Sequence, residues 1–254
     1  MIEILLAIFF ITVLLLFLGS GIWVAISMIG VSSIGMILFT SRPVGDAMAT
    51  TIWGASSSWT LTALPLFVWM GEILFRTKLS ENLFEGLAPW LQKLPGGLIH
   101  VNVVGCALFA AISGSSAATV ATVGKMSIPE LRKRKYPEKI LLGSLAGSGT
   151  LGLLIPPSII LIIYGVTVQE SIAKLFIAGI IPGIMIALIF MGYVIIWSLL
   201  NKNKMPLTEE NYSFLNKLSK SKQLIPVILL ILGVIGSIYT GIATATEAAS
   251  LGVV

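Results

Sequence analysis

Charged residues are scarce in this chain. Only 11% of its 254 residues are Asp, Glu, Lys or Arg, whereas 56% are hydrophobic. Ordinary soluble domains carry about 25% charged residues, so the composition predicts a polytopic membrane protein. The net charge of +5 does not predict a nucleic-acid partner, because eleven of the sixteen Lys and Arg residues fall in two segments, 125–139 and 201–222. The positive-inside rule places both segments in the cytoplasm.

Histidine and cysteine are almost absent as well, since the chain has only His100 and Cys106. A single cysteine cannot form an internal disulfide, and its apolar surroundings predict a packed thiol. Metal-ligand clusters, phosphate-binding loops and dinucleotide fingerprints are missing, and the lack of a Walker motif excludes ATP hydrolysis by this chain. We therefore expect neither an enzyme nor a cofactor.

One enzyme class stays as a weaker alternative. His100 with Ser113 or Ser115 could form an intramembrane serine hydrolase, because a nucleophile needs a base within reach. The Gly-x-Ser-x-Gly elbow is absent around both serines, however.

Hydrophobic segments divide the chain into membrane spans of about 20 residues. Residues 1–18 are apolar apart from Glu3 and lack a basic n-region, so they predict a retained first span and not a signal peptide. Residues 44–60 contain Trp53 and Trp59 and predict an interfacial or re-entrant piece. Residues 76–97 repeat leucine every four positions, which predicts an amphipathic helix at the interface. The predicted spans are residues 2–18, 22–39, 61–75, 172–200 and 223–239.

The stretch of residues 105–124 contains a small polar group, Ser113-Gly114-Ser115-Ser116, where a spanning helix should be apolar. Such residues form either a helix-packing seam or a binding tip, because non-helical backbone in a membrane must be buried or line a cavity. Residues 98–124 are too few for two full spans. They predict either one ordinary span or a re-entrant helical hairpin with these four residues at its tip.

A second interruption lies inside the apolar segment 140–165. Pro156 and Pro157 remove two backbone donors, and the glycines upstream make unwinding cheap. The alternatives are a simple proline kink in a packing helix or two half-helices that meet near the middle of the membrane. Two interruptions joined by a short loop favour a transporter site, where helix N-termini hold an anion and unwound carbonyls coordinate Na⁺. These segments contain no Asp or Glu, which weakens a proton relay built from carboxylates.

A third stretch, residues 241–249, places Glu247 three residues after Thr244. This spacing predicts a capping box at the start of a helix. A role in subunit or substrate contact remains open for Thr244, Thr246 and Glu247.

The three stretches together resemble the large membrane subunit of tripartite ATP-independent periplasmic (TRAP) transporters. The likeness lies in the serine group before Ala117-Ala118-Thr119-Val120, in the double-proline break after Gly152, and in residues 241–249. It implies an all-α polytopic protein of the ion-transporter superfamily, with a re-entrant helical hairpin and a broken transmembrane helix in the first of two inverted repeats. The implied activity is Na⁺-coupled, elevator-like uptake of an organic acid such as a C4-dicarboxylate or sialic acid.

The resemblance also implies partners and a site. A periplasmic substrate-binding protein would deliver the substrate, a small four-helix membrane subunit would support the scaffold, and the complex would lie among lipids in the bacterial inner membrane. The coupling ion would bind near Ser113, Ser115, Ser116, Gly149 and Thr150. The wider set for ion and substrate is Ser113, Gly114, Ser115, Ser116, Thr119, Gly147, Gly149, Thr150, Gly152, Pro156, Pro157 and Ser158.

The sequence departs from the family pattern in three ways. Thr119 stands where some members carry an aspartate, and Ala245 replaces the proline of the family's Thr-Pro-Thr-Glu. The chain also ends soon after the first repeat, so we expect one permease domain over residues 1–254 that is a fragment or truncated product. Its first repeat and following loop would occupy about residues 1–222, and residues 223–254 would begin the second. A non-transporting fragment or scaffold subunit is the alternative.

Overall fold

A computed structural model describes residues 2–206 and 212–254 of the chain. Within these residues all regular elements are helices, which confirms the predicted fold class: an all-α membrane protein with a hairpin and a broken helix. The helices are α1 (Ile2–Gly19), α2 (Val24–Phe39), α3 (Val44–Ser56), α4 (Ala63–Arg76), α5 (Leu79–Leu91), α6 (Ile99–Ser113), α7 (Ser116–Lys133), α8 (Glu138–Gly149), α9 (Ile159–Val168), α10 (Ile172–Leu200), α11 (Phe214–Ser221), α12 (Ile225–Tyr239) and α13 (Ala245–Val253). Short 3₁₀ turns cover Trp59–Thr62, Thr150–Leu153, Lys202–Lys204 and Lys222–Leu224.

The chain forms two compact units, Met1–Ser57 and Ser58–Val254. In the first unit, α1 packs against α2 and α2 against α3. Phe9, Phe10 and Phe39 meet edge to face, with ring centroids 5.5–6.0 Å apart. Most side chains of this unit are exposed and apolar, as expected of helices that face lipid.

The second unit has its main core around α4. Phe67 and Met70 of α4 are fully buried with Phe109 of α6 and Phe176 of α10. The small face of α13 also enters this core, because Ala248 is fully buried where α13 packs against α4. These contacts hold α6 in the middle of the unit.

A smaller core surrounds the amphipathic helix α5. The four-residue leucine spacing predicted an amphipathic helix at the membrane interface; the helix is present, and its Leu83 and Leu87 side chains are buried in protein. Leu87 and its neighbour Phe84 pack with Val101 of α6, Leu131 of α7 and Leu141 of α8. The apolar face of α5 therefore packs against protein.

Two helical stretches are long and apolar enough to cross a membrane by length and composition, Ile172–Leu200 and Phe214–Tyr239. Shorter apolar helices are α1, α2, α6 and α9. The predicted span 172–200 matches α10 in full, although Pro182 lies inside it.

Both predicted basic loops contain helix, so their boundaries were wrong. Helix α7 continues through Lys125 to Lys133, with an Arg134–Glu130 ion pair of 2.8 Å across its last turn. Helix α11 occupies part of the second basic segment, where the side chain of Lys217 lies over the Trp90 ring. Lysine and arginine are good helix formers, so basic charge does not indicate a loop; residues 207–211 of this segment lie outside the described residues.

Candidate functional site

The serine group forms the tip of a helical hairpin. Helix α6 ends at Ser113 because Gly114 takes the left-handed conformation (φ 60°, ψ 8°), which glycine adopts without steric cost. Ser115 is extended and begins α7 as its N-cap, accepting a hydrogen bond from the Ala118 amide at 3.4 Å. Helices α6 and α7 pack against each other. One ordinary span through residues 98–124 is therefore wrong, and the hairpin is correct.

The hydroxyls at the tip have different partners. Thr119 donates to the Ser115 carbonyl at 2.8 Å, so Ser113 is the donor in the 3.0 Å bond between the Ser113 and Thr119 hydroxyls. Ser113 and Thr119 are buried and mutually satisfied. The Ser116 hydroxyl is also buried, and no hydrogen bond joins it to any other described residue. Buried polar groups normally have a partner, so the Ser116 hydroxyl is left unsatisfied at this tip.

The second interruption separates α8 from α9. Helix α8 ends at Gly149, a 3₁₀ turn covers Thr150–Leu153, and the backbone is non-helical up to Ser158. Ser158 is fully buried, and its hydroxyl donates to the Leu153 carbonyl at 2.7 Å across the break. This arrangement confirms the broken helix and excludes a simple kink.

The two interruptions lie against each other. The Ile159 amide, at the start of α9, donates to the Gly114 carbonyl at 3.4 Å. A Cβ atom added to Gly114 would lie 2.6 Å from the Pro157 carbonyl oxygen, and one added to Gly152 would lie 2.8 Å from the Ser116 nitrogen. Backbone meets backbone at both places, which requires residues without side chains.

Charge at this contact comes from helix ends alone. Residues 94–124 and 140–169 contain no Asp, Glu, Lys or Arg. The N-termini of α7 and α9 each bring about half a positive charge, and the C-terminus of α6 brings a similar negative charge. The arrangement can therefore bind an anion at amide groups and a cation at carbonyl or hydroxyl oxygens without any ionised side chain.

Four of the predicted site residues on the broken helix have their main contacts outside the hairpin tip. Gly149 is buried against Val120, and Gly147 faces the Phe190 ring. Thr150 is exposed, and its hydroxyl donates to the Gly147 carbonyl at 2.7 Å. Pro156 is buried beside α10, where a Cβ on Gly179 would approach its ring. Of these four, Gly149 lies nearest the hairpin, through α7.

Thr244, Thr246 and Glu247 lie at a separate place. Thr244 and Glu247 form the predicted capping box, in which the Thr244 amide donates to the Glu247 carboxylate at 2.8 Å. All three line a cavity of about 550 Å³ with Glu170, Ser171 and Trp59, and no residue of the hairpin tip lines it.

Asn102 is a buried residue that the sequence argument did not single out. Its side-chain NH₂ group donates to the Leu141 carbonyl at 3.2 Å and to the Ser144 hydroxyl at 3.0 Å, and its main-chain carbonyl accepts from the Ser148 hydroxyl at 3.3 Å. These bonds join the hairpin to α8. The sequence signal that could have indicated these bonds is an asparagine in an otherwise apolar helix, because an amide in hydrocarbon needs a hydrogen-bond partner.

The geometry does not support a hydrolase. His100 and Ser113 are on the same helix, so 13 residues place them about 20 Å apart along its axis. The His100 ring nitrogen Nε2 pairs with the Pro95 carbonyl at 2.8 Å. A general base must lie within hydrogen-bond reach of its nucleophile, and His100 does not.

Residues 10–254 match the family described as the DctM component of the tripartite ATP-independent periplasmic transporter. A C4-dicarboxylate TRAP transporter large permease protein from Pseudomonas aeruginosa is 34% identical over 89% of this chain and 52% of its own length. An isethionate TRAP transporter permease from Oleidesulfovibrio alaskensis is 35% identical over 93% of this chain and 37% of its own. A sialic acid large permease protein from Vibrio cholerae is 34% identical over 92% and 54%. The chain thus spans about half the length of the two large permease proteins and 37% of the isethionate permease. The names of all three are those of transporter permeases and not of enzymes.

Proposed function

Because the chain belongs to the DctM family of TRAP transporter components, we propose that it takes part in Na⁺-coupled uptake of a small organic acid. The single observation behind this proposal is the contact between the hairpin tip and the broken helix. Two uncharged interruptions meet there, with two helix N-termini and a buried, unpartnered serine hydroxyl. The family assignment agrees with the expectation of a transporter component and not an enzyme.

The proposed ion site uses oxygen atoms at the hairpin tip. The Ser116 hydroxyl is the first candidate ligand, with backbone carbonyls of the tip and of the break beside it. The Ser113 hydroxyl is hydrogen-bonded to the Thr119 hydroxyl inside the hairpin, and the Thr150 hydroxyl is hydrogen-bonded to the Gly147 carbonyl of its own helix. We therefore propose that these two side chains contribute less to Na⁺ binding than Ser116.

The proposed substrate is an anion. The relatives are named for C4-dicarboxylates, isethionate, sialic acid and ectoine, and all of these molecules carry a carboxylate or sulfonate group. Helix N-termini suit such groups because their free amides and partial positive charge need no lysine or arginine. Sodium bound next to the anion would raise its affinity by neutralising its charge, which couples the two.

The proposed assembly has further members. A periplasmic binding protein would deliver the substrate, and a small membrane subunit would support the permease in the bacterial inner membrane. Substrate and ion sites in transporters of this architecture form at the interface of two repeats. Since the chain spans about half the length of its relatives, a second half-site is part of the proposal.

An uptake experiment tests this function. The chain is coexpressed with its partner subunits, reconstituted in proteoliposomes, and supplied with binding protein loaded with radiolabelled C4-dicarboxylate or sialic acid. We expect uptake with an inward Na⁺ gradient and none when K⁺ replaces Na⁺. Equal uptake in both ions would overturn the coupling to Na⁺.

A scaffold subunit without transport activity is the second candidate, favoured by the Ser113, Thr119 and Ser158 hydroxyls, which are all bonded within the chain. It predicts no uptake in either ion but normal membrane insertion and copurification with the partner subunits. Restoration of uptake by a separately expressed second half of a relative would argue against a mere scaffold.

A further inference from the structure

A groove lies between α8 and α10, at the end of the second unit where the basic segments meet. It has a volume of about 570 Å³ and is lined mainly by apolar side chains, among them Ile140, Ile189 and Phe190. The groove is distinct from the contact between hairpin tip and broken helix, and neither the ion site nor the substrate site uses it.

The groove exists because α8 has no side chain at Gly143. A Cβ atom placed there would meet no other atom within 4 Å, so open space continues above the helix. Further along α8, Gly147 packs directly against the ring of Phe190. This ring closes the deep, apolar end of the groove.

The other end of the groove is cationic and aromatic. Lys139 lines it, together with Tyr193 and Trp197 of α10. Lys139 is exposed, and within residues 2–206 and 212–254 it forms no ion pair. The carboxylate of the adjacent Glu138 is already held by Arg132 at 2.8 Å, and no acidic residue lines the groove.

The surface beside the groove is suited to lipid. The outward face of α10 near the groove exposes mainly apolar side chains, among them Ile184, Leu188 and Ile196. The polar ends of Tyr193 and Trp197 are typical of the level of the lipid headgroups. The loops at this end are basic, which places it at the cytoplasmic leaflet, where anionic lipids are found.

We propose that this groove binds one anionic phospholipid of the cytoplasmic leaflet, with an acyl chain along Gly143 and the phosphate at Lys139. The groove is apolar at its Phe190 end and cationic at its Lys139 end, which matches the acyl chain and the anionic headgroup of such a lipid. Basic pockets between transmembrane helices on the cytoplasmic side are known to select acidic headgroups.

Native mass spectrometry of the purified full chain tests this proposal. The protein is released from detergent after titration with phosphatidylglycerol, with phosphatidylethanolamine of the same acyl chains, or with inorganic phosphate. We expect one retained phosphatidylglycerol per chain, weaker retention of phosphatidylethanolamine, and no retention of phosphate alone.

Two variants separate the acyl and headgroup contributions. Gly143→Leu fills the groove and is expected to abolish retention, whereas Lys139→Gln is expected to weaken phosphatidylglycerol retention by about fivefold and to leave phosphatidylethanolamine unchanged. Gly192→Leu is the matched control, since Gly192 lies on α10 outside the groove and a Cβ there also meets no atom within 4 Å. It should retain lipid as the parent chain does.

Two results would overturn the proposal. Equal retention of phosphatidylglycerol by the parent chain, Gly143→Leu and Lys139→Gln would mean that only annular lipid is bound. Loss of the retained lipid on addition of the small membrane subunit would mean that a protein helix occupies the groove in the complex. Thermal unfolding of each variant in detergent shows whether a loss of lipid reflects a loss of fold.

Discussion

Ser116 and Ser113 are only three positions apart, yet their hydroxyls are in different chemical situations. Ser113 donates to Thr119, whereas the buried Ser116 hydroxyl has no partner. Removal of a satisfied hydroxyl costs stability, while removal of an unsatisfied one can be neutral. Substitution of Ser113 should therefore change mainly the stability, and substitution of Ser116 mainly the Na⁺ affinity.

We expect Ser116→Ala to raise the half-saturating Na⁺ concentration for uptake on the order of tenfold and to leave the unfolding temperature unchanged. Ser113→Ala should lower the free energy of unfolding by about 1 kcal/mol with a smaller change in Na⁺ dependence.

The double variant Ser115→Ala/Ser116→Ala should weaken Na⁺ dependence without loss of membrane insertion. Uptake titrations in Na⁺ and thermal unfolding in detergent measure both effects. An unchanged Na⁺ response in the Ser116 variants would exclude the hairpin-tip ion site.

At the scale of residues, the sequence predicts which positions are polar but not how their hydrogen bonds are divided. Four small residues in an apolar segment were enough to locate the tip. The roles of Ser113 and Thr150 depend on which acceptor each hydroxyl reaches, the Thr119 hydroxyl or the Gly147 carbonyl, and this follows from backbone geometry that composition does not contain. The Thr244–Glu247 capping box was predictable because both partners lie within one turn.

The hairpin and the broken helix are held together by backbone contact at Gly114. Its left-handed conformation directs the chain from α6 into α7, and its Cα faces the Pro157 carbonyl. The left-handed conformation costs other residues about 1–2 kcal/mol. A side chain at this position would both strain the turn and separate the two elements.

Gly114→Ala should therefore abolish coupled uptake and lower the free energy of unfolding by at least about 1–2 kcal/mol. Gly192→Ala is the matched control, because that helical glycine of α10 has open space around it and lies outside the groove; it should keep full uptake and gain about 0.5–1 kcal/mol. Chemical denaturation in detergent and proteoliposome uptake are the measurements. Normal uptake by Gly114→Ala would show that close contact between the hairpin tip and the break is dispensable.

At the scale of elements, the residues predicted the hairpin and the break, whereas their pairing was implied only by the family resemblance, which placed residues of both elements in one ion site. The serine group and the two prolines are local signals. The Gly114–Pro157 and Asn102–Ser144 contacts join residues about 40 positions apart, and nothing in either segment specifies its partner. Helix α8 also ends at Gly149, well before the prolines. The interruption begins with the 3₁₀ turn at Thr150–Leu153, so it starts earlier than the proline positions alone would indicate.

Across the second unit, charge is arranged by position along the helices. The hairpin contact is uncharged, whereas the last turn of α7 and the 3₁₀ turn that follows α10 are basic. The short turn between α9 and α10 carries Glu170 beside the cavity that Glu247 lines. The sequence predicted this arrangement because loop charge follows membrane orientation. It placed the limits of the basic segments less well, since Lys and Arg also form helices.

This charge pattern predicts that the ends of α7 and α10 face the cytoplasm and that the α9–α10 turn faces the periplasm. Cysteine labelling can test it directly, because the only native cysteine, Cys106, is fully buried and should give little background. We expect Lys133→Cys and Lys204→Cys to react with a membrane-impermeant maleimide only in inverted vesicles, and Glu170→Cys to react in intact cells; all three parent side chains are exposed. The parent chain, with Cys106 alone, is the control for both preparations. Labelling of Lys133→Cys and Glu170→Cys from the same side would mean that α8, the break and α9 do not together cross the membrane, and would contradict the orientation that the loop charges predict.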